Sequence, residues 1–391
     1  MLALARSLER RGHVVTLAGP PDFVGEAGAL KVDYRPMDQN MTEFLRAHSA
    51  AIEGGMLGML RPVKRGIDHG LAAQFDVLSG LAPKADVVVG ASLAFAARSC
   101  AEALGRPYRF VAFAPEIFPS RHHASPGFRA QGWPPFANRA CWWLARRIDN
   151  WLLGNALNQG RAKLGLPPIA DALDHFAPAS RSILATDEEL APAPPDVSLP
   201  APSTGAWLLD DDRPLPAEVE DFLAAGPPPI YLGFGSMPDA HPARTRDVVV
   251  STIRALGCRA IIYSGAAGIG ASDLGPSVLV TGTLPHARLL PRVALAVHHG
   301  GAGTCARVAR AGIPQVIIPH VLDQFPWAAR IYKRGLGPRP LHKTRLTARA
   351  LGARIRQALK DPAMRARATE LARKLAGRDG AERAAAMLSG E

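Results

Sequence analysis

The stretch His298-His299-Gly300-Gly301-Ala302-Gly303-Thr304 lies between an apolar run, Val293 to Val297, and a run of helical character, Cys305 to Ala311. The order is therefore strand, glycine-rich turn, helix start. Glycines let the main chain come close to an anion, and the first-turn N–H groups and positive end of the following helix favour negative charge there. The stretch reads as a seat for a diphosphate. Packing is a poor reason for it, because each glycine gives up side-chain contacts and costs backbone entropy on folding. The plain alternative is a tight strand-to-helix connection with incidental histidines.

Around this turn the sequence alternates. Strands are expected over Ile230 to Phe234, Arg259 to Tyr263, Val278 to Thr281, Ala294 to Val297 and Gln315 to Pro319, and helices over Arg244 to Leu256, Thr304 to Ala311 and Gln324 to Lys333. Short buried strands separated by helices make a doubly wound α/β domain with a parallel sheet. Alanine- and arginine-rich helices follow, from Ala348 to Leu359, Ala363 to Ala376 and Ala381 to Leu388.

Towards the N-terminus the same alternation recurs. Leu2, Leu4, Ala5 and Leu8 share one side of an opening helix, a strand runs from His13 to Ala18, and Asp86 to Gly90 and Tyr108 to Ala114 flank a helix over Ala94 to Leu104. Between Ala191 and Pro216 the chain is dense in Pro, Ser and Asp, which no regular element survives. The expected organisation is a first α/β domain over residues 1–200, a Pro-rich linker over 201–216, and a second doubly wound domain with the terminal helices over 217–391. The adjacent carboxylates Asp210, Asp211 and Asp212 read as a solvated turn in that linker, not a metal site.

With 391 residues the chain has room for two full cores, and a 48% hydrophobic content with mean hydropathy near zero excludes a fibre or a disordered tail. Lys and Arg number 46 against 34 Asp and Glu, a net charge of +12 that suits acidic ligands or anionic surfaces. Arginines are spread along the chain and not gathered into a basic arm, so no nucleic-acid partner is expected. Cys100, Cys141, Cys258 and Cys305 stand far apart without a CxxC pair, which points to a reducing cytoplasm and to neither a disulfide frame nor structural zinc. No apolar run reaches membrane-spanning length.

In a parallel sheet, ligands bind beyond the carboxyl ends of the strands, so the second-domain loops should converge. They are Gly233 to Met237 with Ser236, Gly282 to His286, the histidine–glycine turn, and Pro319 to Gln324 with His320, Asp323 and Gln324. A hydroxyl, a segment able to lie along a planar base, an anion seat, and a carboxylate beside an amide meet in that set.

These residues resemble a known family. His298 to Thr304, then Ala311-Gly312-Ile313-Pro314-Gln315, Pro319, and Asp323-Gln324 with Trp327 and Arg330 are similar to the donor signature of nucleotide-sugar-dependent glycosyltransferases, in the branch that includes sterol, macrolide and glycopeptide glucosyltransferases. The resemblance runs from about Ile230 to Pro340 and continues more loosely through Arg11 to Thr16 and Ala18 to Phe23. It implies the GT-B fold: two Rossmann-like domains facing a central cleft. It further implies that His299 and the backbone of Gly301, Ala302, Gly303 and Thr304 hold the donor diphosphate, that Asp323 and Gln324 hold the sugar, and that Ser236, Leu284 and His286 lie near the nucleoside. His298 points away and packs. Plant members place a ribose-binding glutamate where this chain has Arg307. The implied reaction is inverting and metal-independent, moves a hexose from UDP-glucose or another UDP- or TDP-sugar to a hydrophobic acceptor, and needs no cofactor beyond that co-substrate.

Members of this family begin with a strand and a loop that commonly carries the catalytic aspartate or histidine, whereas Met1 falls inside the helix that follows. The resemblance thus implies that the first strand of the N-terminal domain, with its loop, is absent. A misassigned start codon is favoured over an incomplete chain or a degenerate, non-catalytic nucleotide-sugar binder. His122 and His123 are the remaining candidates for the base. Trp133, Trp142 and Trp143, amid Arg146, Arg147 and Trp151, read as an acceptor pocket or a membrane headgroup boundary, the latter implying peripheral contact at the inner membrane face, or as a core helix with solvated arginines. Gly301 to Ala306 also fits the dinucleotide fingerprint G-x-G-x-x-G/A, with Asp323 as its acid, so a NAD-binding oxidoreductase is the rival reading.

Overall fold

The computed structural model describes residues 1–38, 40–48, 56–209, 211–234, 239, 241–264 and 275–390, with the backbone alone at 45 and 56–61. The chain divides into two compact units, Met1–Leu209 with Asp379–Glu391, and Asp210–Arg378.

In the first unit, helices α1 (Leu2–Arg10), α2 (Val24–Ala29), α3 (Met41–Ala47), α4 (Met56–Leu81), α5 (Ala97–Ala103), α6 (Pro135–Lys163) and α7 (Ala172–Phe176) accompany strands β1 (Thr16–Gly19), β2 (Asp33–Pro36), β3 (Val88–Ala91), β4 (Tyr108–Ala112) and β5 (Ser182–Leu184). All strand pairs are parallel, in two sheets, β1-β2 and β3-β4-β5. Alternate side chains of the second sheet face opposite layers, as the pleat requires. Tyr108, Phe110, Ala112 and Leu184 join Phe75, Trp142, Leu157 and Phe176 in one core, whereas Val111 and Ile183 meet Ala3 and Leu4 of α1 in another. Among the described residues β1 and β3 pair on one side only, their side chains are less buried than those of β5, and Val14, just before β1, is 99% exposed.

The second unit contains α8 (Ala217–Ala224), β6 (Ile230–Gly233), α9 (Pro242–Leu256), β7 (Ala260–Tyr263), β8 (Val278–Thr281), α10 (His286–Leu289), β9 (Leu295–His298), α11 (Ala302–Arg310), β10 (Gln315–Ile317), α12 (Gln324–Lys333), α13 (Ala348–Lys360) and α14 (Pro362–Leu375). Its sheet is wholly parallel in the order β10-β9-β6-β7-β8. Ile230, Leu232, Ile262, Leu295 and Val297 pack under α9, α13 and Met364, and Tyr231, Ile261 and Ala296 pack on the opposite side against Val219, Leu289 and Val308. Helices thus cover both faces, as two-sided apolar strands demand.

One domain expectation is corrected. The last helix, α15 (Gly380–Ser389), belongs to the first unit and not to the second. It lies on α1, where Arg11 Nε donates to Glu382 at 2.7 Å and His13 meets Ser389 at 2.7 Å, and its small residues Ala381, Ala384 and Ala385 fill the core beside Leu4. The expected linker over 201–216 contains the division between the units, after Leu209, and its two parts pack on their own units. Thr204, Ala206 and Trp207 are buried, the Trp207 indole donating to Thr204 and meeting Phe113 edge-on, while Leu215 is buried in the second unit. Among the described residues no helix is long and apolar enough to cross a membrane.

Candidate functional site

The chain enters the second sheet at β6, runs outward through β7 and β8, and returns on the other side of β6 to form β9 and β10. The order reverses between β6 and β9, whose ends are in register with Gly233 beside His298. The connections that follow these two parallel strands go to opposite faces of the sheet, to α9 on one and α11 on the other, and the carboxyl end of such a switch point is the general place for ligands.

His298 is fully buried and its imidazole braces the turn. Its Nε2 is 3.0 Å from the Gln315 side-chain oxygen, and its Nδ1 accepts the Gly300 N–H at 3.1 Å. Burial, with His299 adding to it, pushes its pKa down to about 3. Gly300 adopts a φ of +93°, and a Cβ there would come 2.7 Å from the Ile317 side chain, so the turn requires glycine at this position.

The chain then enters α11 through Gly301, whose extended backbone has no side chain to cap the helix. The helix begins at Ala302, two residues earlier than expected, which places Gly303 and Thr304 in its first turn. The first-turn N–H groups of a helix have no partner within it. Beside them stands His299: a Cβ on Gly301 would lie 2.6 Å from its Nε2, and its buried Nδ1 has no hydrogen-bond partner among the described residues. Burial lowers its pKa to about 4, so at neutral pH an uncharged imidazole, one nitrogen of which donates, lies at the positive end of a helix.

On the next loop, Leu322 is exposed and left-handed, with a φ of +46°, a strained conformation for a branched side chain. Asp323 follows at the start of α12 without capping it. The Gln324 oxygen accepts the N–H groups of His320 and Val321 at 2.7 and 3.1 Å. Gln324 therefore shapes the loop from within, being 4% exposed.

His320 itself is a site residue that sequence reasoning left unassigned. It is tilted against Phe234, has a buried Nδ1 with no partner among the described residues, and is held to a pKa of about 3 by burial, then by Lys343 and His299. Lys343 was missed altogether, being far along the chain. It pairs with the buried Asp239 just after the β6 loop and donates to Thr245 Oγ1 at 2.7 Å. His286 is fixed edge-on against Tyr231, the two side chains 2.9 Å apart, and its pKa is lowered to about 4 by burial and by Arg307. Ser236 lies outside the described residues.

Comparison with known proteins follows this geometry. Residues 248–387 match the family described as the C-terminal domain of erythromycin biosynthesis protein CIII-like proteins. The chain is 36% identical over 344 residues to glycosyltransferase GtfE of Amycolatopsis orientalis, covering 86% of this chain and 81% of that one. It belongs to the glycosyltransferases. The vancomycin aglycone glucosyltransferase of the same organism is 34% identical, again over 86% of this chain and 81% of the other. A solved structure, the glycotransferase of kitacinnamycin, has the same fold, with a TM-score of 0.72 at 21% identity, covering 100% of this chain and 94% of that one. The rival NAD-binding reading is thereby set aside.

In the first unit of this glycosyltransferase the acceptor-side candidates separate. His122 is exposed, and its Nε2 accepts from Arg121 Nε at 3.3 Å. His123 lies edge-on to Trp142, with Nδ1 3.2 Å from the Ala124 carbonyl. Trp142 as an acceptor- or membrane-facing residue is corrected. It is 5% exposed in the core and donates to the His123 carbonyl at 3.0 Å. Consecutive residues on a helix point about 100° apart, so Trp143 faces outward and is 63% exposed. Trp133 is half-buried, edge-on to Phe128.

Proposed function

We propose that this glycosyltransferase moves a hexose, with glucose as the default, from a UDP- or TDP-sugar to a hydroxyl of a hydrophobic natural-product or lipid-like acceptor, with inversion at the anomeric carbon. One observation carries the donor half: an uncharged, buried imidazole, His299, lies over Gly301 beside the uncapped start of α11. Diphosphate oxygens would accept from the first-turn N–H groups, from Thr304 Oγ1 and from His299. Asp323 would take sugar hydroxyls on a loop that Gln324 holds rigid.

The acceptor oxygen attacks the anomeric carbon as the bond to the diphosphate oxygen breaks on the opposite face, and the bonding pair leaves with the nucleoside diphosphate. The helix end, His299 and Thr304 stabilise the charge that develops there, so this reading needs no metal. The proton of the acceptor hydroxyl passes to a base, for which His122 and His123 are the candidates. The four cysteines are free thiols, which supports a reducing, cytoplasmic setting.

Calorimetric titration with UDP, TDP and NAD tests the donor assignment. Heat is expected from UDP or TDP, unchanged by a chelator and lost in His299→Ala. Absence of heat from both, or preference for NAD, overturns it. The anomeric coupling constant of a transferred glucose checks inversion.

A further inference from the structure

Helix α6 runs from Pro135 to Lys163, and one of its faces carries large apolar side chains that the fold leaves in solvent. Phe136 is 74% exposed, Trp143 63%, Trp151 50% and Leu144 41%. Between them stand the exposed arginines Arg139 and Arg147. At about 100° and about 1.5 Å per residue, these six positions fall within an arc of about 140° and extend over roughly 22 Å. The opposite side, through Cys141, Trp142, Ala145, Leu152 and Leu153, is buried.

Charge and aromatic groups are interleaved, not segregated. The Arg147 guanidinium lies over the Trp143 ring at 5.2 Å, and Lys64 reaches the Trp151 ring at 5.8 Å. The other arginines of α6 already have partners: Arg146, at the edge of the stripe beside Arg139, pairs with Asp171 and Asp174, and the buried Arg161, further along the helix, pairs with Glu102. The single carboxylate of the helix, Asp149, falls about 220° round from Phe136, away from the stripe.

We infer that this face of α6 docks the enzyme on an anionic phospholipid surface. Indole and phenyl rings enter the headgroup layer while the intervening guanidinium groups meet lipid phosphates. An uncharged apolar partner would leave both arginines desolvated without a counter-charge, and a second copy of a chain with a net charge of +12 would bring like charges together. An anionic bilayer satisfies both groups at once. The inference is independent of the donor assignment, since it concerns a different unit and is read without nucleotide.

Co-sedimentation of the full chain with vesicles of phosphatidylcholine alone and with vesicles enriched in phosphatidylglycerol tests it. The wild type is expected to bind the anionic vesicles, about tenfold or more above the neutral ones, with loss at high salt. Trp143→Ser with Trp151→Ser, and separately Arg139→Glu with Arg147→Glu, should each lower binding about tenfold or more. Both pairs are on the surface, so unchanged thermal unfolding serves as the folding control. No wild-type binding, or binding untouched in either folded variant, overturns the inference. So does self-association that the Trp pair abolishes in a protein that ignores vesicles.

Discussion

The Nε2 atom of His299 rests against Gly301, so close that a Cβ on residue 301 would sit 2.6 Å from it. Two glycines of the turn therefore differ in kind. Gly301 keeps the imidazole at the helix end, whereas a Cβ on Gly303 would meet no atom within 4 Å.

Gly301→Ala is expected to swing the imidazole away and weaken UDP or TDP binding about tenfold or more, the scale of one hydrogen bond to a charged group. Gly303→Ala should raise thermal stability slightly, by up to about 1 kcal/mol from helix propensity, yet also weaken the nucleotide, because a bound diphosphate would need the space. Calorimetry and melting on both variants check the pair. Unaltered affinity in Gly303→Ala would count against close approach of the backbone.

The second unit should lose stability in mild acid. His286, His298, His299 and His320 have pKa values of about 4, 3, 4 and 3 because burial disfavours their charged forms. The unfolded chain takes up these protons near pH 6.5, whereas the fold does so only near 3 to 4. Between those limits the unfolded state binds more protons, so stability falls as pH drops from about 6.5 to about 4, by about 1.4 kcal/mol per histidine per pH unit at most. Urea unfolding at several pH values measures the slope, and a flat profile from about pH 7 to about pH 5 would refute the burial argument.

Lys343 is 9% and Asp239 2% exposed. Lys343→Met would leave a buried carboxylate without its counter-charge, at a cost of about 3–5 kcal/mol. Adding Asp239→Asn should recover much of that loss. Equal destabilisation of the single and double variants, measured by denaturant unfolding, would show that the charge is not the cause.

Packing in the first unit offers a similar contrast on one helix. A Cβ on Gly160 would overlap the Phe75 ring, while one on Gly154 would touch nothing within 4 Å. Gly160→Ala should cost about 1–3 kcal/mol through overpacking between α4 and α6. Gly154→Ala should add roughly 0.5–1 kcal/mol. Melting temperatures that move in the same direction would contradict this reading.

Much of the second unit was legible in the sequence because strand and helix alternate there with short turns. The glycine turn before α11 was legible because three glycines and two histidines in seven residues have little use in a core. Lys343 was not, since its partner Asp239 lies 104 positions away and an isolated lysine carries no pattern. Nor was the split between Trp142 and Trp143, because α6 places both apolar and charged residues on each side and only its neighbours α4 and α7 select the buried one.

The sequence by itself determined the parallel α/β class, the glycine turn before α11 and the family, since these depend on local periodicity, turn chemistry and an ordered string of residues. Only the tertiary structure decided that the last helix joins the first unit, that Gln324 braces its own loop, and that an aromatic and arginine stripe stays in solvent. Each of these depends on which surface a distant element covers, and burial is a property of the packed chain that no short stretch encodes.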